Sequence, residues 1–390
     1  MEFEFWWLLA IPLFFGLGWL AARLDARQAR PAARGVPDAY FKGLNFLVNE
    51  QPDKAIDTFL DVVRLDPETI ELHFALGSLF RRRGETDRAI RVHQNLAERA
   101  DLSLAQRQHA LFEVGQDFLR AGLLDRAEDA FNRLEGSPYA AAALRHRLSI
   151  AQQVRDWPQA IDLAARLRRD GDDSLVRDIA HFHCERAVVA LAGTTPDHRA
   201  VAAREIDAAL LADPGHARAW AMRGEIALAG GDPASAIESW QRLLERHPEH
   251  APRIAGGWLQ AHDALDRADI GLAALESAYV AHPGIDLLTV IADARSARRG
   301  IDDARGWVEA RLRERPTLAG LEKLIGLGAA AGPVDGALVA GLVGAHVRRH
   351  ARHACAHCGF RARQFAWQCP GCGRWDSFAA QRDEAAEVLR

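Results

Sequence analysis

The sequence predicts an all-α protein: a superhelical solenoid of stacked helical hairpins, preceded by an N-terminal transmembrane helix and followed by a small module built on four cysteines. Three observations carry this. A helix-turn-helix pattern recurs at near-constant spacing along most of the 390 residues, an uncharged apolar run opens the chain, and four of its five cysteines lie close to the C-terminus.

The pattern is plainest at residues 217–248, ARAWAMRGEIALAGGDPASAIESWQRLLERHP, two short helical stretches around a Gly-Gly-Asp-Pro turn. Trp220, Gly224, Ala236, Trp240 and Pro248 fall where a tetratricopeptide unit of about 34 residues places a large residue, a small one, alanine, an aromatic and a terminal proline. Gly224 and Ala236 are small where the two helices cross, Trp220 and Trp240 fill the space beside that crossing, and Pro248 stops the second helix because it cannot extend the hydrogen-bond ladder. Stepping back by the period finds Gly43 with Ala55, Phe59 and Pro67, then Gly77 with Ala89, then Gly115 with Ala127 and Phe131. Weaker copies lie at residues 160–167, 206–214, 275–283 and 304–316, with Pro214, Pro248, Pro283 and Pro316 keeping the spacing. A single hairpin cannot bury its apolar face, so about eight repeats are expected to stack through residues 36–335.

Bulk properties narrow the function classes. A composition 49% hydrophobic could bury a large core and a chain of this length would ordinarily divide into several globules, but a repeat array buries its surface between neighbours instead. The formal net charge of −4 and pI near 6.5 supply no general attraction to nucleic acid, which is not expected as a partner. Cysteines clustered at one end, with Cys184 alone in the array, are not spread like a secreted disulfide framework and fit a reducing compartment.

The stretch FWWLLAIPLFFGLGWLAA at residues 5–22 is uncharged and just long enough to cross a bilayer as a helix. Trp6, Trp7 and Trp19 stand near its ends, where indole rings settle at the membrane interface, and Pro12, Gly16 and Gly18 are tolerated in a span. A cleaved signal peptide is the competing reading. It needs a positive start, whereas Glu2 and Glu4 open this chain and Arg23, Arg27, Arg30 and Arg34 follow the run. By the positive-inside rule everything after the span faces the cytoplasm. The expected order is therefore an anchor at 1–22, a linker at 23–35, the array at 36–335, a terminal helix at 336–353, a metal-binding module at 354–380 and a tail at 381–390.

The module reads HACAHCGFRARQFAWQCPGCGRWDSF. Cys355-x2-Cys358 and Cys369-x2-Cys372 form two knuckles that can close a tetrahedral four-thiolate site, each followed by a glycine, Gly359 and Gly373, that lets backbone amides turn toward the sulfurs. Zinc and a single iron both accept this geometry, so one structural metal ion of either kind is expected. A closed site has no open coordination position, and so short a segment needs the metal to fold. Phe360, Phe365, Trp367, Trp375 and Phe378 are more aromatics than a ribbon can bury alone. They are expected to dock on the last helices, around residues 321–347, where Gly326, Gly328, Gly341 and Gly344 would admit a second element closely.

Other constellations yield no chemistry. His181-x-His183-Cys184 holds metal-ligand types, but positions i and i+2 of a helix face different ways, so core or groove-lining roles are expected. His247-Pro248-Glu249-His250 lacks the order and the helix of a zinc peptidase. Gly326-x-Gly328-x3-Gly332 follows no strand and reads as tight helix packing. Arg348, Arg349, Arg352, Arg361 and Arg363 form a basic patch that a solvated face explains; its use on nucleic acid, or of the cysteines as a redox centre, is the rival reading. No catalytic set emerges, and an enzyme is not expected.

In order and in detail, the segments YFKGLNFLVNEQPDKAIDTFLD, LGSLFRRRGETDRAIRVHQ, AGLLDRAEDAFNRL, IAHFHCE and CAHCGF…WQCPGC make the chain resemble the lipopolysaccharide assembly protein B family along nearly its whole length. The resemblance implies a single-pass inner-membrane adaptor whose cytoplasmic repeats and rubredoxin-like module bring the deacetylase committing lipid A synthesis to a membrane-bound AAA+ protease. It also implies contact with other inner-membrane lipopolysaccharide assembly and sensing proteins. The metal ligands it carries over are Cys355, Cys358, Cys369 and Cys372.

Overall fold

The computed structural model describes residues 15–20, parts of 42–59, 70–169, 171–328, parts of 340–348, and 352–382. Most of the expected anchor at 1–22, the linker at 23–35 and much of the terminal helix lie outside the described residues. Residues 15–20 are helical and exposed, and among the described residues no helix is long and apolar enough to cross a membrane.

Two compact units divide the chain, Met1–Ile150 and Ala151–Arg390. In the first, helical turns within 42–59 precede α1 (Ile70–Arg83), α2 (Thr86–Glu98), α3 (Leu104–Arg120), α4 (Leu124–Asn132) and most of α5 (Ala140–Val154), whose last turn belongs to the second. The helix crossings follow one rule sixteen residues long. A Cβ at Gly43 would fall inside the Phe59 ring, one at Gly115 inside Phe131, and one at Gly77 inside the imidazole of His93. Phe59, His93 and Phe131 are almost fully buried, and Ala55, Ala89 and Ala127 beside them are completely so.

His93 is the departure. An imidazole buried at an aromatic position must be hydrogen-bonded, and its Nδ1 lies 2.6 Å from Oδ2 of the fully buried Asp117. Arg81 closes the network from α1: its Nη1 donates to Asp117 Oδ1 at 2.8 Å and its Nη2 to Glu113 Oε2 at 2.6 Å. The sequence pattern showed the small residues at this crossing and was silent on the polar partner.

The second unit holds α6 (Trp157–Arg169), α7 (Val176–Ala192), α8 (His198–Ala212), α9 (Ala217–Ala229), α10 (Pro233–Arg246), α11 (Ala251–Asp263), α12 (Ala268–Ala281), α13 (Ile285–Arg299), α14 (Ile301–Glu314) and α15 (Leu318–Gly328). Consecutive helices pack as hairpins, and α7, α9, α11, α13 and α15 also touch in succession. That is the stacking by which repeats share one core. At the crossing of α9 with α10, a Cβ on Gly224 would fall inside the Trp240 indole, whose Nε1 donates to Ala221 O at 3.0 Å. Trp220 sits further out, donating to Pro214 O at 2.9 Å beneath the guanidinium of Arg242. In the turn, Gly231 takes the left-handed conformation (φ 82°) that a side chain disfavours, and Asp232 caps α10 by accepting from Ser235 N. Pro214, Pro248, Pro283 and Pro316 each stand two residues beyond the second helix of a hairpin. Pro248 does more than stop α10, because it opens the 3-10 turn Pro248–His250.

Two expectations need correcting. Among the described residues nothing lies within 4 Å of a Cβ built on Gly326, Gly328 or Gly341, so these glycines mark no close helix crossing and receive no second element there; a Cβ on Gly344 would meet Glu322 and Arg348. The described fold is an all-α tetratricopeptide solenoid with a small C-terminal ribbon, β1 (His353–Ala354) antiparallel to β2 (Arg361–Ala362).

Candidate metal centre and its docking face

The ribbon brings the four cysteines together. One sulfur from each of Cys355, Cys358, Cys369 and Cys372 lies within 4.8 Å of the others. The Cys355–Cys372 separation is 3.9 Å and Cys358–Cys369 3.7 Å, which bracket the roughly 3.8 Å between sulfurs of a tetrahedral site with metal–sulfur bonds of about 2.3 Å. The donor set and its spacing therefore fit a tetrathiolate ion. Both knuckles fold alike: Gly359 N donates to Cys355 O at 3.0 Å and Gly373 N to Cys369 O at 2.8 Å, with φ of 73° and 69°. These glycine amides turn to the cysteine carbonyls, not the sulfurs; amides that reach a sulfur come from neighbouring residues, among them Gly371 N, 3.3 Å from Cys369 Sγ. The Ser377 hydroxyl leads the interactions that pull the Cys355 thiol toward thiolate. Cys355 and Cys369 are buried, Cys358 and Cys372 exposed. Cys184 lies apart, in the core on α7, and burial pushes its thiol up to about 12.

The aromatics do dock on the array, but on another face from the one expected. Trp375 stacks on His181 of α7 (centroids 4.4 Å apart, planes at 15°) and meets Trp157 and Phe182 edge-on. Phe365 and Trp367 surround His250 of the 3-10 turn, at 6.1 and 5.0 Å, while Arg253 of α11 lies over the Phe365 ring at 4.5 Å. Phe360 and Phe378 meet edge-on within the ribbon. The docking face is thus built from α6, α7, the 3-10 turn and α11, in place of residues 321–347. Small residues permit close approach without creating attraction, whereas histidine and arginine faces offer stacking to indoles. Beyond the ribbon, Gln381 donates to His282 O and Arg382 pairs with Asp286 at the start of α13.

Burial sets the electrostatics of this face. It lowers the pKa of His181, takes His250 down to about 4, and, with His181 beside it, takes His216 down to about 3. Burial and the charge of Asp376 raise Asp178 to about 6. Burial acts against ionised Asp376 too, but His181, His216 and Arg177 together hold its carboxyl below the usual range.

The pair His181 and His183 separates as expected: His183 turns to Glu205 at 2.8 Å, while His181 is fully buried. The grouping that sequence reasoning missed is His181 with His216 and Asp376. His247 bonds across one repeat to Gly215 O at 2.9 Å, as a repeat boundary should.

Comparison with known proteins matches residues 353–380 to a rubredoxin metal binding domain and residues 41–103, 74–143 and 197–251 to tetratricopeptide repeats. Among solved structures, the C-terminal part of a TPR repeat-containing protein from Cytophaga hutchinsonii covers 63% of this chain and 95% of that one at 11% identity and a TM-score of 0.40. Lipopolysaccharide assembly protein B of Haemophilus influenzae is 25% identical over 389 residues, spanning 95% of this chain and 96% of that protein. Its Escherichia coli K12 counterpart is 36% identical over 376 residues, again spanning 95% of this chain and 96% of the relative. With that identity carried from end to end through both the repeats and the four-cysteine ribbon, the chain belongs to the lipopolysaccharide assembly protein B family.

Proposed function

We propose that this protein is a membrane-anchored, non-enzymatic cytoplasmic adaptor that regulates lipopolysaccharide synthesis, promoting destruction of the deacetylase that commits lipid A by a membrane-bound AAA+ protease. The observation that carries the reading is the end-to-end likeness to proteins named for lipopolysaccharide assembly. Residues 1–22 hold the chain at the inner membrane, the array at 36–335 offers partner surfaces, and the module at 354–380 is folded around one structural ion, zinc or iron, on Cys355, Cys358, Cys369 and Cys372. The ion supplies folding free energy to a segment too small for its own core. Its role is then to present Trp375, Trp367 and Phe365 in register with the docking face, and other inner-membrane lipopolysaccharide assembly and sensing proteins read the same scaffold.

The test follows the deacetylase after synthesis is stopped, in cells with the full chain, without it, and with residues 1–22 deleted. The deacetylase should decay quickly only with the full chain, and crosslinking from membranes should recover both it and the protease on the array. Unchanged decay without the chain sinks the proteolytic role, and normal decay with the shortened chain removes the anchor from the mechanism.

A further inference from the structure

We infer that the protein holds a second metal ion, of the zinc type, on His181, His216 and Asp376, bridging the array and the ribbon. His181 comes from the middle of α7, His216 from the N-cap of α9, and Asp376 from the ribbon, and one donor atom of each lies within 4.8 Å of the others. Two imidazoles and a carboxylate are a common zinc donor set, and two neutral histidines are ready ligands.

The orientation of the donors argues for a shared ion over a simple ion pair. His181 Nε2 lies 2.9 Å from Asp376 Oδ2, yet both of its ring nitrogens lack a hydrogen-bond partner although the side chain is wholly buried. His216 Nε2 is likewise buried and unpartnered, on a residue 4% exposed. Buried polar atoms are rarely left so, and one nitrogen from each ring beside the Asp376 carboxylate asks for a shared ligand. The surrounding side chains suit it. Trp375 stacks on His181 and fixes its plane, and Cys184 Sγ stands 3.9 Å from His216 Nδ1. Ligation through Nε2 puts the His216 proton on Nδ1, facing that sulfur and giving up the long 3.3 Å cap bond from Ala219 N. The nearest cations are balanced: Arg218 pairs with Glu185 at 2.8 Å, and Arg177, 3.7 Å from Asp376, is offset by Asp178. Asp376 is the ligand nearest solvent, its side chain 26% exposed, so water can complete the coordination. Such an ion would make seating of the ribbon on α7 and α9 depend on available metal, independently of the four thiolates.

The full-length chain is reconstituted with excess zinc, desalted, and assayed for bound metal, beside Asp376→Asn and His216→Asn. Asparagine suits both places: it tolerates the left-handed backbone of residue 376 (φ 48°) and caps helices well. Two zinc ions per wild-type chain and one per variant chain are expected. With cobalt, which needs no variant, the first equivalent should show strong thiolate-to-metal absorption and the second only weak ligand-field bands. One equivalent in the wild type, two in both variants, or thiolate absorption from both cobalt equivalents would overturn the inference.

Discussion

The Gly77–His93 crossing in the first unit and the Gly224–Trp240 crossing in the second occupy the same register of the repeat and are stabilised in opposite ways. Trp240 is an apolar filler: its indole takes the space a Cβ would need at both Gly224 and Gly257, and one hydrogen bond satisfies its only polar atom. His93 fills the same slot but requires Asp117, which in turn requires Arg81 and Glu113. The lesson is that register specifies where a ring goes, while the identity of the ring decides whether one side chain or four must be correct together.

Breaking the polar crossing should have the largest effect. Asp117→Ala strands His93 and Arg81 inside the first unit and should cost about 3–5 kcal/mol, measured as the loss of unfolding free energy in denaturant. Replacing both Asp117 and His93 by apolar residues of matched size should recover much of that, and an additive double mutant would mean the two are not coupled.

Trp240→Ala should come close, at about 3–4 kcal/mol, because it empties a fully buried site touched from two helices. No polar group is left needing a partner there, so no second substitution is expected to rescue it. Thermal melts of single and double variants decide between these two behaviours.

A milder change sharpens the shared part of the comparison. Ala236, completely buried at the α9–α10 crossing, has no room for more, and Ala236→Leu should cost about 1–3 kcal/mol. An unchanged melting temperature would show that the crossing can open without loss.

The smallest effect concerns the docking face, held by ring stacking and charge. His250 is neutral against Trp367, with a folded pKa near 4 against an ordinary 6.5. The unfolded or undocked chain therefore binds the proton first, so the contribution is fully present above about 6.5 and is lost as pH falls toward 4. Near pH 5 the loss should be about 1–2 kcal/mol, read as faster hydrogen exchange in α11 and the 3-10 turn. His250→Phe should weaken that pH dependence by the share of His250, the buried His181 and His216 keeping the rest; an unchanged dependence in the variant would assign it elsewhere.

The repeats and the cysteine knuckles were legible because their information is local. Gly224, Ala236, Trp240 and Pro248 recur at a fixed spacing since each hairpin packs on its neighbours by the same crossing, and Cys-x2-Cys-Gly is read within one turn of backbone. Periodicity also separated His181 from His183 correctly, by the geometry of a single helix. Only the tertiary structure decided which face receives the ribbon, and with it the meeting of His181, His216 and Asp376. His181 and His216 lie about one repeat apart on successive hairpins, but Asp376 belongs to a segment outside the repeat. They come together because a metal-sized ribbon, unable to bury Trp375 and Trp367 itself, settles where buried histidines and Arg253 offer the best stacking, a choice made by surfaces that exist only once the helices have packed.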